Sequence, residues 1–156
     1  MIQRIQSLYL LVPGVLGLLM LFLPLAKFFA GAEEFRVTAF GVESLMQEGP
    51  FVVSTVYMGI LLVLATIVPF VTIFLYKKRR VQVRLCVVEM ILLGGVQLFI
   101  CYYLYRSVHS IAQFEFHSIS FSLVDVFPIV GIILTYLALR AIIKDEVLVR
   151  SLDRIR

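Results

Sequence analysis

The chain has 156 residues, 62% of them apolar and 15% charged, with a mean hydropathy of +1.04. A soluble domain of this size is about half apolar and about a quarter charged, so the composition excludes an ordinary soluble globule, and the low charge excludes a disordered chain. Two cysteines cannot build a disulfide framework, and a net charge of +4 that falls in a few clusters beside apolar stretches gives no reason to invoke nucleic acid.

In chain order, four stretches carry almost no charge, and a spanning helix needs about 20 such residues to cross roughly 30 Å of hydrocarbon. Ile5 to Ala26 and Gly49 to Tyr76 are uncharged, Leu85 to Tyr105 is interrupted only by Glu89, and Phe116 to Leu139 only by Asp125. These gaps predict a single integral membrane domain over residues 1–156, with transmembrane helices at 5–29, 51–76, 82–106 and 123–143 and a tail at 144–156. The first stretch ends in Ala30-Gly31-Ala32, which is similar to a signal-peptidase site, but its apolar run is about twice a usual signal core and contains Pro13 and Pro24, so it is expected to stay as a span.

Two segments between the stretches alternate apolar and polar residues with a period of two. Residues 34–40 (Glu-Phe-Arg-Val-Thr-Ala-Phe) and 114–121 (Phe-Glu-Phe-His-Ser-Ile-Ser-Phe) therefore read as strands. The expectation is that they pair with each other as a small antiparallel β-sheet outside the membrane, lying on the helix ends and sealed by Phe35, Phe40, Phe114, Phe116 and Phe121. In the tail, Leu148, Leu152 and Ile155 recur at helical spacing opposite Arg150, Arg154 and Arg156, which describes a basic amphipathic helix. It is expected to lie on anionic inner-leaflet headgroups or to dock on a membrane-protein partner subunit.

Arginine and lysine set the orientation. Arg4, the run Lys77, Lys78, Arg79, Arg80 with Arg84, and Arg140, Lys144, Arg150, Arg154 and Arg156 fall on one side of a four-span chain. Lys27, Arg36 and Arg106 fall on the other, together with Glu33, Glu34, Glu43, Glu48 and Glu115. The positive-inside rule puts both termini and the central loop in the cytoplasm.

The opening Met-Ile-Gln-Arg-Ile-Gln-Ser-Leu-Tyr-Leu-Leu, the Leu23-Pro24-Leu25 step, the segment Arg140-Ala-Ile-Ile-Lys-Asp-Glu and the closing Leu148-Val-Arg-Ser-Leu-Asp-Arg-Ile-Arg resemble an uncharacterised four-span inner-membrane family of Bacteroidota, the domain of unknown function 4293. The resemblance implies a Gram-negative inner membrane and a four-helix topology. It implies no activity, substrate or catalytic residue.

Chemistry has to be sought residue by residue. Cys86 and Cys101 lie fifteen residues apart on one predicted helix, about 22 Å, which is too far for a disulfide. His109, Glu115 and His117 lack metal-ligand spacing and read as wet polar residues of a loop and a strand. The serines lie in no Gly-x-Ser-x-Gly turn, and Gly94-Gly95 lies inside an apolar helix, so neither a hydrolase nor a phosphate-binding loop is indicated. No enzyme activity, cofactor or metal is expected.

The intramembrane polar residues that remain are Glu89, Gln97, Arg140, Asp125 and Lys27. Asp125 fits a capping box with Ser122, or a pair with Lys27 at the outer end of the first helix. Glu89 has no cap to serve. It lies about 7 Å inside Arg84, and depth matching with Arg140 suggests a structural ion pair, Lys144 being the second choice. A role for Glu89 and Gln97 in transport is the alternative. Pro13, Pro24 and Pro69 are expected to kink their helices, with Thr66 and Thr72 as candidate donors to the carbonyl freed by Pro69. The reading that results is a small membrane scaffold or accessory subunit, with a channel or transporter as the alternative.

Overall fold

The computed structural model describes residues 2–30, 33–44, 53–75, 78–111 and 116–153. Helix α1 (Ile2–Phe22) leads into strands β1 (Ala26–Ala30), β2 (Glu33–Val37), β3 (Gly41–Ser44) and β4 (Val53–Ser54). Helices α2 (Val56–Phe74) and α3 (Arg79–Ile111) follow, then β5 (Phe116–Phe121), a 3-10 turn (Leu123–Val126) and α4 (Phe127–Asp153).

The helices pack in a closed order, α1 on α2, α2 on α3, α3 on α4 and α4 on α1. Each neighbouring pair runs antiparallel. Gly17 lies against Thr66 and Gly14 against Phe70, Gly95 against Leu61, and Gly131 against Leu93. The inward residues recur at alternating steps of three and four, the spacing that keeps a stripe facing its neighbours. They are Leu10, Pro13, Gly17 and Met20 on α1; Met58, Leu62, Ala65, Pro69 and Thr72 on α2; and Gly131, Thr135, Ala138 and Ile142 on α4. On α3 they are Gln82, Cys86, Glu89, Leu93, Val96, Ile100 and Tyr103.

The outer faces are as greasy as the core. Ile91, Leu98, Ile133 and Leu123 are all exposed, Leu98 at 73% and Leu123 at 85%. A water-facing surface would not carry so much contiguous apolar area. Among the described residues three helices, within Val56–Phe74, Arg79–Arg106 and Leu123–Val147, are long and apolar enough to cross a membrane; α1 adds a shorter apolar run, Ser7–Phe22.

One antiparallel sheet, ordered β4-β3-β2-β1-β5, sits across the ends of the helices where α1 stops and α2 starts. Its register sorts the two faces. Phe121, Ala26, Val37, Val42 and Val53 stand opposite one another across five strands, and next to them Ser120, Lys27, Arg36 and Glu43 form a polar row. Ala26, Phe35, Val37 and Val42 are buried in the same cluster as Met20, Met58, Leu62, Val96 and Ile100, so the apolar face closes the core like a lid. A second cluster, Leu10, Cys86, Ala138 and Ile142, fills the opposite end.

The elements depart from the sequence expectations in three places. The first helix does not reach residue 29: it ends at Phe22, and Ala26–Ala30 is the central strand of the sheet. Proline disfavours helix in the residue before it, so Leu23-Pro24 is a stop, and β1 then satisfies both of its edges by pairing with β2 and β5. The two expected strands thus share a sheet without touching each other. The tail is not a separate element at 144, because α4 runs on through it to Asp153 with no glycine or proline to interrupt it. Helices α2 and α3 are placed as expected, apart from shifted ends, and the aromatic residue Phe114 lies outside the described residues.

Candidate functional site

The sheet end holds most of the charged residues expected there. Lys27 Nζ lies 3.2 Å from Glu34 Oε1, a diagonal neighbour on β2. Lys27 is therefore a strand residue in a partly exposed ion pair and is not paired with Asp125. Asp125 sits in the 3-10 turn that precedes α4, capped as expected by Ser122, whose Oγ accepts from the Val124 amide at 3.4 Å. The Asp125 amide donates to the Ser122 carbonyl at 3.0 Å, while its own Oδ1 is buried without a hydrogen-bond partner. Only half of the capping box is made. His109 is exposed and meets the ring of Tyr105 edge-on, and Glu115 lies outside the described residues. Among the described residues no three metal-ligating side chains cluster.

At the opposite end, α3 and α4 are tied by polar contacts. Arg79 Nη1 donates to the Asp145 carbonyl at 3.2 Å, and Arg80 lies 3.8 Å from Glu146. Gln82 Nε2 donates to the Thr72 carbonyl at 3.0 Å, tying α3 to α2. Thr66 and Thr72 donate to the Leu62 and Val68 carbonyls, each one turn back on α2. Neither hydroxyl hydrogen therefore goes to Ala65, the residue whose carbonyl loses its helical partner at Pro69.

Glu89 lies between the two apolar clusters, 1% exposed, with neither carboxylate oxygen hydrogen-bonded. Among the described residues it is the one charged type buried in the core. The expected pair with Arg140 is not made, nor is one with Lys144; both side chains are exposed. The reason is rotation. At 100° per residue, Arg140 is two residues from the buried Ala138 and two from the buried Ile142, which turns it to the far side of α4, whereas Glu89 belongs to the inward stripe of α3. Equal depth does not by itself make a pair.

Thr135, on the inward stripe of α4, is fully buried, and its Oγ1 also lacks a partner. Gln97 is half-buried, its Oε1 unbonded, two turns from Glu89 toward the sheet. A threonine in an apolar helix carries no charge to mark it, so a search for charges passes over Thr135. Its place in the three-and-four stripe of α4 is the signal that picks it out.

Thus an apolar ring of helices closed by a sheet carries a few unbonded oxygens at its centre, the pattern of a membrane protein with an internal polar layer. A model of the Domain of unknown function (DUF4293) matches residues 2–155, and the chain belongs to that family. No curated protein matches it.

Proposed function

We propose that the chain is a four-span protein of a Gram-negative inner membrane and serves as an accessory or scaffold subunit of a membrane complex. The fourth span is α1, whose 21 residues rise about 31 Å alongside α2 and α4. Lys78, Arg79, Arg80, Arg84, Arg140 and Lys144 gather at the end away from the sheet, so the positive-inside rule favours cytoplasmic termini and an external sheet.

The observation that carries the scaffold role is the edge of that sheet. Strand β5 is six residues long and pairs only with β1 among the described residues. An unpaired strand edge is a template for an added strand, and here the template is fixed to the helices through the buried row on β1 to β3. The partner is therefore an extended segment of a neighbouring protein that adds beside β5. A photo-crosslinking amino acid at Ser118 and, as a lipid-facing control, at Ile133 tests this in native membranes. Adducts of one defined mass from Ser118 alone support the role, and no protein adduct from Ser118 refutes it.

A channel or transporter working through Glu89 and Gln97 is favoured by the unbonded Glu89 carboxylate at the core. Proteoliposomes loaded with proton- and sodium-sensitive dyes distinguish it. Flux lost in Glu89→Gln belongs to a transporter, and absence of flux in the native chain removes that reading.

A further inference from the structure

Chain order sets where the outer edge of β5 lies. Strand β5 joins α3 to the turn that starts α4, and β4 leads into α2, so the sheet extends from the α2 side of the bundle to the α3–α4 side. Among the described residues α3 meets the sheet at β1, so it does not run along the outer edge of β5. Below that edge Leu98, Ile129 and Ile133 are exposed and apolar, a surface that a second bundle can cover as well as lipid can.

The composition of the edge bears on what can pair with it. Strand β1 carries Lys27, β2 carries Glu33, Glu34 and Arg36, and β3 carries Glu43, whereas Phe-His-Ser-Ile-Ser-Phe of β5 holds no lysine, arginine or acidic residue. Strand edges that stay solitary are commonly guarded by such charges or by proline. A copy of the same strand meets no like charge here.

We infer that β5 pairs with β5 of a second copy of this chain, antiparallel about a two-fold axis normal to the sheet, giving one continuous ten-stranded sheet. This rests on the reading that β5 is a docking edge, and it names the occupant. The sheet lies across the helix ends, so an axis normal to it runs along the helices, and both copies keep the same orientation in one membrane. Such an axis keeps each sheet face continuous only when it passes through a residue position, because side chains alternate along a strand. Placed at Ile119, it sets Ile119 opposite its own copy and Ser118 opposite Ser120 of the other chain. Placed at Ser118, it would set Ser120 against Phe116 and draw in the irregular end of the strand, where the register with β1 shifts beyond Phe29. Each copy contributes its own β5, so the pairing closes at two and leaves no β5 edge open.

Full-length chains carrying two different tags, with Cys86→Ala and Cys101→Ala, are coexpressed and oxidised in native membranes, one bearing Ser118→Cys and the other Ser120→Cys. These two positions share the sheet face of Lys27 and Phe29, away from the buried row. Direct opposites have Cβ atoms about 5 Å apart and diagonal neighbours about 7–8 Å, so the mixed pair should form a disulfide dimer about tenfold faster than either variant alone. Glu43→Cys, on β3, should form none. A photo-crosslinking amino acid at Ser118, on the native cysteines, should give an adduct of twice the 17.8 kDa chain mass. A Ser118 adduct of any other mass, with no disulfide dimer, overturns the second copy and leaves β5 standing as a docking edge. No adduct and no dimer overturn both. Disulfide dimers formed as readily through Glu43→Cys report collision in the membrane, and they overturn the β5 pairing.

Discussion

Replacing Glu89 with methionine should stabilise the protein. The native carboxyl group is 1% exposed and has no hydrogen-bond partner, and an unsatisfied buried polar group costs about 1–3 kcal/mol in protein interiors. Methionine has nearly the same length, is flexible enough to fill the space between Cys86 and Leu93 on the same stripe, and needs no partner. A gain of about 2 kcal/mol corresponds to a rise of about 4–8 °C in the midpoint of a chain of this size. The assay is thermal unfolding in detergent, followed by intrinsic tyrosine fluorescence. A loss of more than about 1 kcal/mol would refute the reasoning, since it would mean that Glu89 holds a counter-charge or bond that stabilises the fold.

Arg140→Gln should change stability by less than about 0.5 kcal/mol, and combined with Glu89→Met it should be additive within about that amount, because the two side chains point away from each other; a larger coupling in the double-mutant cycle would restore the ion pair. Gly17→Ala should cost about 1–3 kcal/mol, since the added Cβ would lie 2.6 Å from Thr66 Oγ1 and 3.3 Å from its Cα, whereas Gly94→Ala, with nothing within 4 Å, should gain up to about 1 kcal/mol from helix propensity. Thermal midpoints measured side by side should show the opposite signs. Lys27→Ala should lower stability by no more than about 1 kcal/mol, and 1 M salt should erase the difference, because its ion pair with Glu34 is partly exposed.

Helices α2, α3 and α4 are legible in the sequence because a charge-poor run of about 20 residues suits a membrane span and little else, and the strand residues of β2 and β5 are legible from their alternation. Strand β1 is hidden. Ala-Lys-Phe-Phe-Ala does not alternate cleanly and continues an apolar run, so what makes it a strand is pairing on both edges, one of them with a segment far along the chain. Pro24 carries the only local sign, and it is a stop where a kink is the expectation. In the core, Glu89 stands out as a charge among apolar residues, but depth without rotation selects the wrong neighbour for it. The spacing 82, 86, 89, 93 on α3 and 131, 135, 138, 142 on α4 contains that rotation, and it leaves Arg140 off the inward stripe.

Orientation in the membrane is the premise on which the external sheet edge and the cytoplasmic basic rim both depend. It is tested most directly by thiol accessibility at two exposed positions, Glu43→Cys on β3 and Lys78→Cys before α3, each with Cys86→Ala and Cys101→Ala. In intact spheroplasts a membrane-impermeant maleimide should label the cysteine at position 43 and leave that at position 78 unlabelled until the membrane is opened. Labelling at position 78 with protection at position 43 would contradict this orientation, and labelling of both in sealed spheroplasts would show that α2, the helix between them, does not cross.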